Sequence, residues 1–275
     1  MCTAKFFTFY NRYGNHLIAS LNLIKYAFYL NKYARINVPE HKFFHFTKEN
    51  MECGDYCTCH NENDQTRIIN PTGGGRLLTI QELKQIADKY INLKLDIPDT
   101  PLYDICIHIR AGDVYKEGRV HFEYVQPPLD FYVQILKENI DKKICIVYEK
   151  DNGPIFPELR KFVEENNINV VFQSKTIEED IITLCSCKTL VFSFGTFCFI
   201  PYLFSRCIEN TIMPDILFNK KRGSNWFCIN EVPDNLKVIK LPNYILVGYW
   251  QNTPEQHKIM LNYKLEESEI LKLKC

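Results

Sequence analysis

Three short stretches set anion-gripping or proton-moving side chains beside apolar runs: Asn11–Asn15 (NRYGN), His108–Asp113 (HIRAGD) and Ser193–Phe197 (SFGTF). In the second, the run Cys106-Ile107-His108-Ile109 reads as a buried strand that carries His108 and Arg110 on one face and stops at Ala111-Gly112-Asp113. A guanidinium is a planar fork of donors that a phosphate accepts bidentately, which an ammonium cannot match. An imidazole donates to a phosphate or to a base edge. Asp113 has three roles open to it: a turn cap, a carboxylate that orients Arg110, or a general base. Glu117 and His121 follow in the polar stretch before Pro127-Pro128 and are the other candidates for a base.

The first stretch offers Arg12, Gly14 and Asn15. Gly14 suits a tight turn with close ligand approach, and the helix expected after it would present unpaired backbone N–H groups to an anion. An ordinary strand-to-helix turn is the plainer reading. In the third stretch Gly195 loosens the backbone, and Thr196 brings a hydroxyl and an N–H to an expected helix N-terminus, flanked by Ser193 and Phe197. Asp180, in the helical run EEDIITL, is either a helix-face acid or an acceptor for a nucleotide base edge.

The elements that must hold these residues follow from periodicity. KFFTFY reads as a strand, His16–Ala34 as a helix with apolar residues at i, i+3, i+4 and i+7, and RINVP as a strand, which together make a βαβ unit. Residues 41–79 are polar, contain PTGGGR, and read as a long surface excursion. Thr79 with Glu82 forms a capping-box pattern that opens a helix through Leu93. IPDTP then breaks the chain. Beyond it strands YDICIHIR, KICIVYE, INVVFQ and TLVFSF alternate with amphipathic helices, the pattern of a parallel sheet covered on both faces. Thr253 and Pro254 open a helical tail. The expected organisation is residues 1–98 as an N-terminal acceptor-side Rossmann-like domain, 99–248 as a nucleotide-sugar-binding Rossmann-like domain, and 249–275 as a helical tail.

Composition narrows the chemistry. Lys plus Arg and Asp plus Glu each number 33, so the net charge of +0 gives no bulk attraction to nucleic acid or to an anionic membrane. Phosphate recognition has to be local. No signal-peptide pattern and no apolar run of membrane-spanning length is visible, so a cytoplasmic protein is expected. Twelve cysteines without a secretion signal read as reduced thiols, Cys106 and Cys145 as small core hydrophobes. Cys53, Cys57, Cys59 and His60 have zinc-ligand chemistry, but C-x3-C-x-C-H is not a standard knuckle; loop thiols or a local disulfide are the alternative. GxGxxG and GxxxxGK[ST] are both absent, so an epimerase or P-loop enzyme lacks its fingerprint. No D-x-D pair is present to hold a divalent metal on a diphosphate, so no metal and no other cofactor is expected.

Taken in order, the three stretches resemble the GT-B fucosyltransferase-like superfamily, which includes the protein O-fucosyltransferases and the α1,2- and α1,6-fucosyltransferases. RYGNHLIASLNLIKYAFYLNKYARINVP is similar to its R-x-G-N helix, HIRAGD to its H-x-R-x-G-D motif, and EEDIITLCSCKTLVFSFGTF to its third block. The string HIRAGDVY…VHFEYVQPPLDFY most resembles small soluble members such as those of large algal viruses. The resemblance implies two Rossmann-like domains facing across a cleft. It implies inverting, metal-independent transfer of fucose, or of a pentose such as xylose, from a GDP- or UDP-sugar to a glycan hydroxyl. It puts Arg110 on the β-phosphate, His108 and Asp180 at the base, Thr196 and Phe197 in a phosphate- and base-packing segment, and Arg12, Gly14 and Asn15 in a loop facing the donor sugar and the acceptor. A catalytically silent carbohydrate- or nucleotide-binding module on the same scaffold is the alternative, but such a module has no use for a diphosphate clamp.

Overall fold

A computed structural model of the chain describes residues 3–6, 13–25, 35–38, 41–46, 51–53, 68–69, 80–118, 120–121, 124–218, 233–244 and 250–273. They fall into two compact α/β units that divide between Asp96 and Ile97. Arg12, Cys57, Cys59, His60 and Thr79 lie outside the described residues.

The first unit contains β1 (Thr3–Phe6), α1 (Tyr13–Lys25), β2 (Arg35–Val38), β3 (Phe44–Phe46), β4 (Met51–Cys53), β5 (Ile68–Ile69), α2 (Ile80–Tyr90) and β6 (Ile91–Leu93). A parallel sheet runs β4-β2-β1-β5, and β3 pairs antiparallel with β6. Leu17, Leu21 and Ile24 of α1 and Leu83, Ile86, Ala87 and Tyr90 of α2 are buried, at the three- and four-residue steps that keep one helix face inward. Three expectations are corrected. Residues 41–79 are not a plain excursion, since they supply β3, β4 and β5. The helix expected through Leu93 ends at Tyr90, and Ile91–Leu93 join the strand Phe44–Phe46. Gly14 and Asn15 belong to the first turn of α1 rather than to a loop before it.

The second unit carries β7 (Tyr103–Ile109), α3 (Leu129–Glu138), β8 (Ile144–Tyr148), α4 (Ile155–Glu165), β9 (Val170–Gln173), α5 (Ile177–Cys185), β10 (Cys187–Val191), α6 (Phe199–Phe204), β11 (Asn210–Pro214), β12 (Leu236–Ile239), α7 (Pro254–Asn262) and α8 (Glu267–Ile270). Its six strands are all parallel, in the order β12-β11-β10-β7-β8-β9. Along β7, Ile105, Ile107 and Ile109 join the core beneath Phe131 and Ile135 of α3 and Phe156 and Leu159 of α4. Cys106 takes the opposite face under α5, where its thiol donates to the Thr183 carbonyl at 3.4 Å. Burying each such side chain removes about 1.5–3 kcal/mol worth of apolar surface from water. Cys106, Cys145, Cys185, Cys187, Cys198 and Cys207 are all buried, unbridged thiols.

Capping boxes close the starts of α5 (Thr176 with Glu179) and α7 (Thr253 with Gln256, Pro254 in the first turn). Residues 250–273 do not stand apart as a tail but complete this unit. Trp250, Met260, Leu265 and Leu273 enter its core, and two buried acids capture backbone N–H groups: Leu265 N donates to Asp130 at 2.8 Å and Lys240 N to Glu269 at 2.9 Å. No helix among the described residues is long and apolar enough to cross a membrane.

Candidate active site at the ends of the two middle strands

In the second unit the chain builds outward from β7 through β8 to β9, then returns across the sheet to β10 on the other side of β7. The order of strands reverses between β7 and β10. In open α/β sheets ligands bind beyond the carboxyl ends of the strands at such a reversal, because the two loops diverge there and leave a crevice. HIRAGD leaves β7 and SFGTF leaves β10 at this point.

Ser193 ties the two loops together. Its buried hydroxyl accepts the Arg110 backbone N–H at 3.0 Å and lies 3.2 Å from His108 Nδ1. Burial, then the neighbouring Arg110 guanidinium, pushes the His108 imidazole down to about 3, so the ring is neutral at ordinary pH. With one hydroxyl proton available, the arrangement that satisfies all three groups has Ser193 donating to Nδ1 and leaves the ring proton on Nε2. Ser193 therefore braces the two strands, while the His108 ring proton is left on Nε2. The Phe197 ring lies 5.3 Å from the His108 ring.

Arg110 is held on several sides. Its Nη2 pairs with Asp113 Oδ2 at 3.2 Å, with both side chains largely buried. Its guanidinium stacks over the Tyr124 ring at 4.2 Å. Gly195 backs it closely, since a Cβ there would stand 3.0 Å from Nη1, and the φ of +124° at Gly195 is one that other residues rarely adopt. Arg110 Nε is buried with no hydrogen-bond partner among the described residues. A buried charge needs its donors satisfied, and none of the described residues offers this atom an acceptor.

The turn after Arg110 is fixed as firmly. Gly112 has φ +73°, and a Cβ there would meet the Glu149 carboxylate at 2.8 Å. The Asn152 amide engages both of its backbone groups, accepting from Gly112 N at 2.9 Å and donating to Gly112 O at 3.2 Å. The strap that carries Tyr124 is anchored beneath: Gln126 Nε2 donates to the Tyr124 carbonyl at 3.0 Å, and the buried Tyr244 hydroxyl donates to the Gln126 carbonyl at 2.8 Å. The His121 ring lies 5.1 Å from the Tyr124 ring. Glu117 and His121 are both exposed.

Thr196 sits differently from expectation, while Asp180 lies on a helix as expected. Thr196 does not open a helix: α6 starts at Phe199 and has only six residues, and Thr196 O accepts from Phe199 N at 3.2 Å in the turn before it. Asp180 is buried, with burial raising its carboxyl; Oδ1 accepts Gln173 Nε2 at 2.9 Å and Lys175 N at 3.4 Å. Gly14 and Asn15 belong to the first unit, in α1. Tyr124 and Asn152 were not identified from sequence. Asn152 sits in KDNGP, which reads as a turn, and Tyr124 is one aromatic in a polar run, so neither advertises its long-range contact. No group of three or more metal-ligating side chains occurs among the described residues.

The family model described as Glycosyl transferase family 11 matches residues 75–213, half of the chain, including both loops of this site. No curated protein matches the chain. Among solved structures, E. coli heptosyltransferase WaaC with ADP is similar at 9% identity and a TM-score of 0.46, over 88% of this chain and 94% of that one. E. coli heptosyltransferase WaaC with ADP-2-deoxy-2-fluoro heptose is similar at 9% identity and a TM-score of 0.42, over 94% and 98%.

Proposed function

Because the chain belongs to glycosyl transferase family 11 and is a glycosyltransferase, we propose that it transfers a sugar, fucose or a pentose such as xylose, from a GDP- or UDP-linked donor to a glycan hydroxyl, with inversion and without a metal ion. The arrangement we propose for the two units is GT-B, with the acceptor side in the first and the nucleotide sugar in the second. The observation that carries this reading is Arg110 at the strand-order reversal, its charge held in place and its Nε without an acceptor among the described residues.

In the proposed reaction the acceptor oxygen bonds to the anomeric carbon as the bond from that carbon to the diphosphate breaks. The electron pair leaves with the diphosphate, and Arg110 meets the added charge at a donor already oriented. Asp113 keeps Arg110 turned toward it, the role its ion pair favours over that of base. The acceptor proton passes to His121, which we prefer to Glu117 because its ring shares the Tyr124 platform with Arg110. His108 Nε2–H and Asp180 Oδ2 face the nucleobase as donor and acceptor, with Phe197 beside them and Thr196 toward the phosphates. Arg12, Gly14 and Asn15 serve the sugar and acceptor side. Metal independence rests on the missing D-x-D and on a guanidinium available for the same charge.

Thermal shift against a panel of sugar nucleotides, followed by transfer assays with and without EDTA, tests the reading. Stabilisation by nucleotides of one base family and turnover that survives EDTA are expected. Arg110→Ala should cost ~3–5 kcal/mol of transition-state stabilisation, roughly a 10²–10³-fold loss or more. Wild-type transfer by that variant, or an absolute need for manganese or magnesium, overturns it.

A further inference from the structure

Arg110 needs its charge aimed, and the structure shows what aims it besides Asp113. The Tyr124 ring lies 4.2 Å under the guanidinium on one side of the strap, and the His121 ring stands 5.1 Å from the same ring. The strap is not adjustable: Tyr124 N donates to the His121 carbonyl at 3.0 Å, Gln126 holds the Tyr124 carbonyl, and Tyr244 holds the Gln126 carbonyl from the core. An aromatic face attracts a cation through its quadrupole, most strongly when water is excluded. It also leaves every N–H in the guanidinium plane unused, whereas the carboxylate of Asp113 engages Nη2. A ring face is therefore the one kind of partner that fixes this cation without competing with a ligand for its donors.

We infer that Tyr124 is a positioning residue for the diphosphate grip, holding Arg110 from its face so that Nε and Nη1 stay available to the leaving group, and that the same ring seats His121 beside it. This rests on the function proposed above. The ring, not the hydroxyl, is the working part, because it is the ring that meets both the Arg110 guanidinium and the His121 ring.

The test measures binding of GDP and UDP, and of guanosine and uridine, to wild type, Tyr124→Phe, Tyr124→Trp and Tyr124→Leu, with donor KM and kcat for each. Tyr124→Leu should weaken the preferred nucleoside diphosphate ~5–30-fold, the range of a partly to fully desolvated cation–π contact, and leave the bare nucleoside unchanged. Tyr124→Phe should match wild type, and Tyr124→Trp should bind at least as tightly. On an Arg110→Ala background, Tyr124→Leu should add no further loss of diphosphate affinity. Equal loss for nucleoside and diphosphate would make Tyr124 a mere packing residue and sink the inference, as would a Phe variant as weak as Leu. If Tyr124→Leu does not fold, the Phe and Trp variants still decide, through a Phe loss or a Trp loss in diphosphate affinity. The two readings separate cleanly: Arg110→Ala with unaltered affinity overturns the proposed function and this inference together, while an Arg110-dependent affinity that ignores Tyr124 overturns this inference alone.

Discussion

The two units solve different problems with the same kind of sheet. In the second, β7 spans seven residues and sits mid-sheet with β10, so its loop departs from a rigid, doubly covered platform. The described strands of the first unit are two to four residues long. That unit leans instead on helix faces and on a ring cluster in which His41 stacks on Phe44 with centroids 3.4 Å apart and His16 stands 4.8 Å from His41. His41 Nδ1 accepts the Phe43 N–H at 3.1 Å, so Nε2 donates to the Tyr13 carbonyl at 3.3 Å, fixing the start of α1. One unit is built around a fixed charge, the other around neutral rings that must not become charged.

Acid should break that comparison open most widely. Burial lowers His16 to about 4, and burial, with the His16 ring next, lowers His41 to about 3. Both folded values lie below the unfolded 6.5, so the unfolded chain binds more protons between them. Stability from these rings is complete above about pH 6.5 and is lost as pH falls toward 3, by roughly 1.4 kcal/mol per histidine for each pH unit. Among the described residues of the second unit, burial lowers His108 to about 3 and lowers His257 as well, but neither sits in a ring cluster like that of His16 and His41. Hydrogen exchange at pH 4–5 should show the first unit opening before the second, and His41→Gln, which keeps an acceptor and a donor, should move that opening to lower pH. First loss of protection in β7 and β10 would contradict the contrast.

Gly112→Ala tests the rigid platform at the next level. A forced left-handed φ costs about 1–3 kcal/mol, and the added methyl displaces Glu149 as well. A lowered Tm with weaker nucleotide binding is expected, and adding Glu149→Ala should recover the steric share only. An unchanged Tm would mean the turn relaxes freely. Asn152→Ala should have the smallest effect, about 1 kcal/mol, since its two bonds to Gly112 lie near solvent that can replace them. It should reduce donor affinity more than it reduces Tm; the reverse would make the amide a stabiliser of the turn alone.

How far the sequence carried the reading depended on the range of the interactions. β7, the alternation after it, Thr253 at its helix start, and Arg110 at a strand end were legible, because periodicity and caps are written within a few residues. The start of α1 was misplaced because Gly14 looks like a turn residue, yet a glycine is tolerated in a first helical turn. β11 and β12 were not read from NTIMP and LKVI, short runs whose strand state comes from joining a sheet already formed. Ser193 was read only as a flank of the donor-binding stretch, because nothing local shows that its hydroxyl accepts the Arg110 N–H 83 positions away. Tyr124 and Asn152 carry no local signature at all, since each acts on a backbone or a charge that only the fold brings near.

Trp250 reaches under the Arg110 turn, its indole N–H donating at 2.9 Å to the Val114 carbonyl across 136 positions of sequence. Closing so long a loop is slow and gains nothing until the contact forms. On the ribosome the turn after Arg110 would gain its Asn152 bonds first, and this indole support only after some seven score further residues are added. A chain that stops short of Trp250 has the motif, the strand and the arginine, but lacks the indole that holds the Val114 carbonyl beneath them.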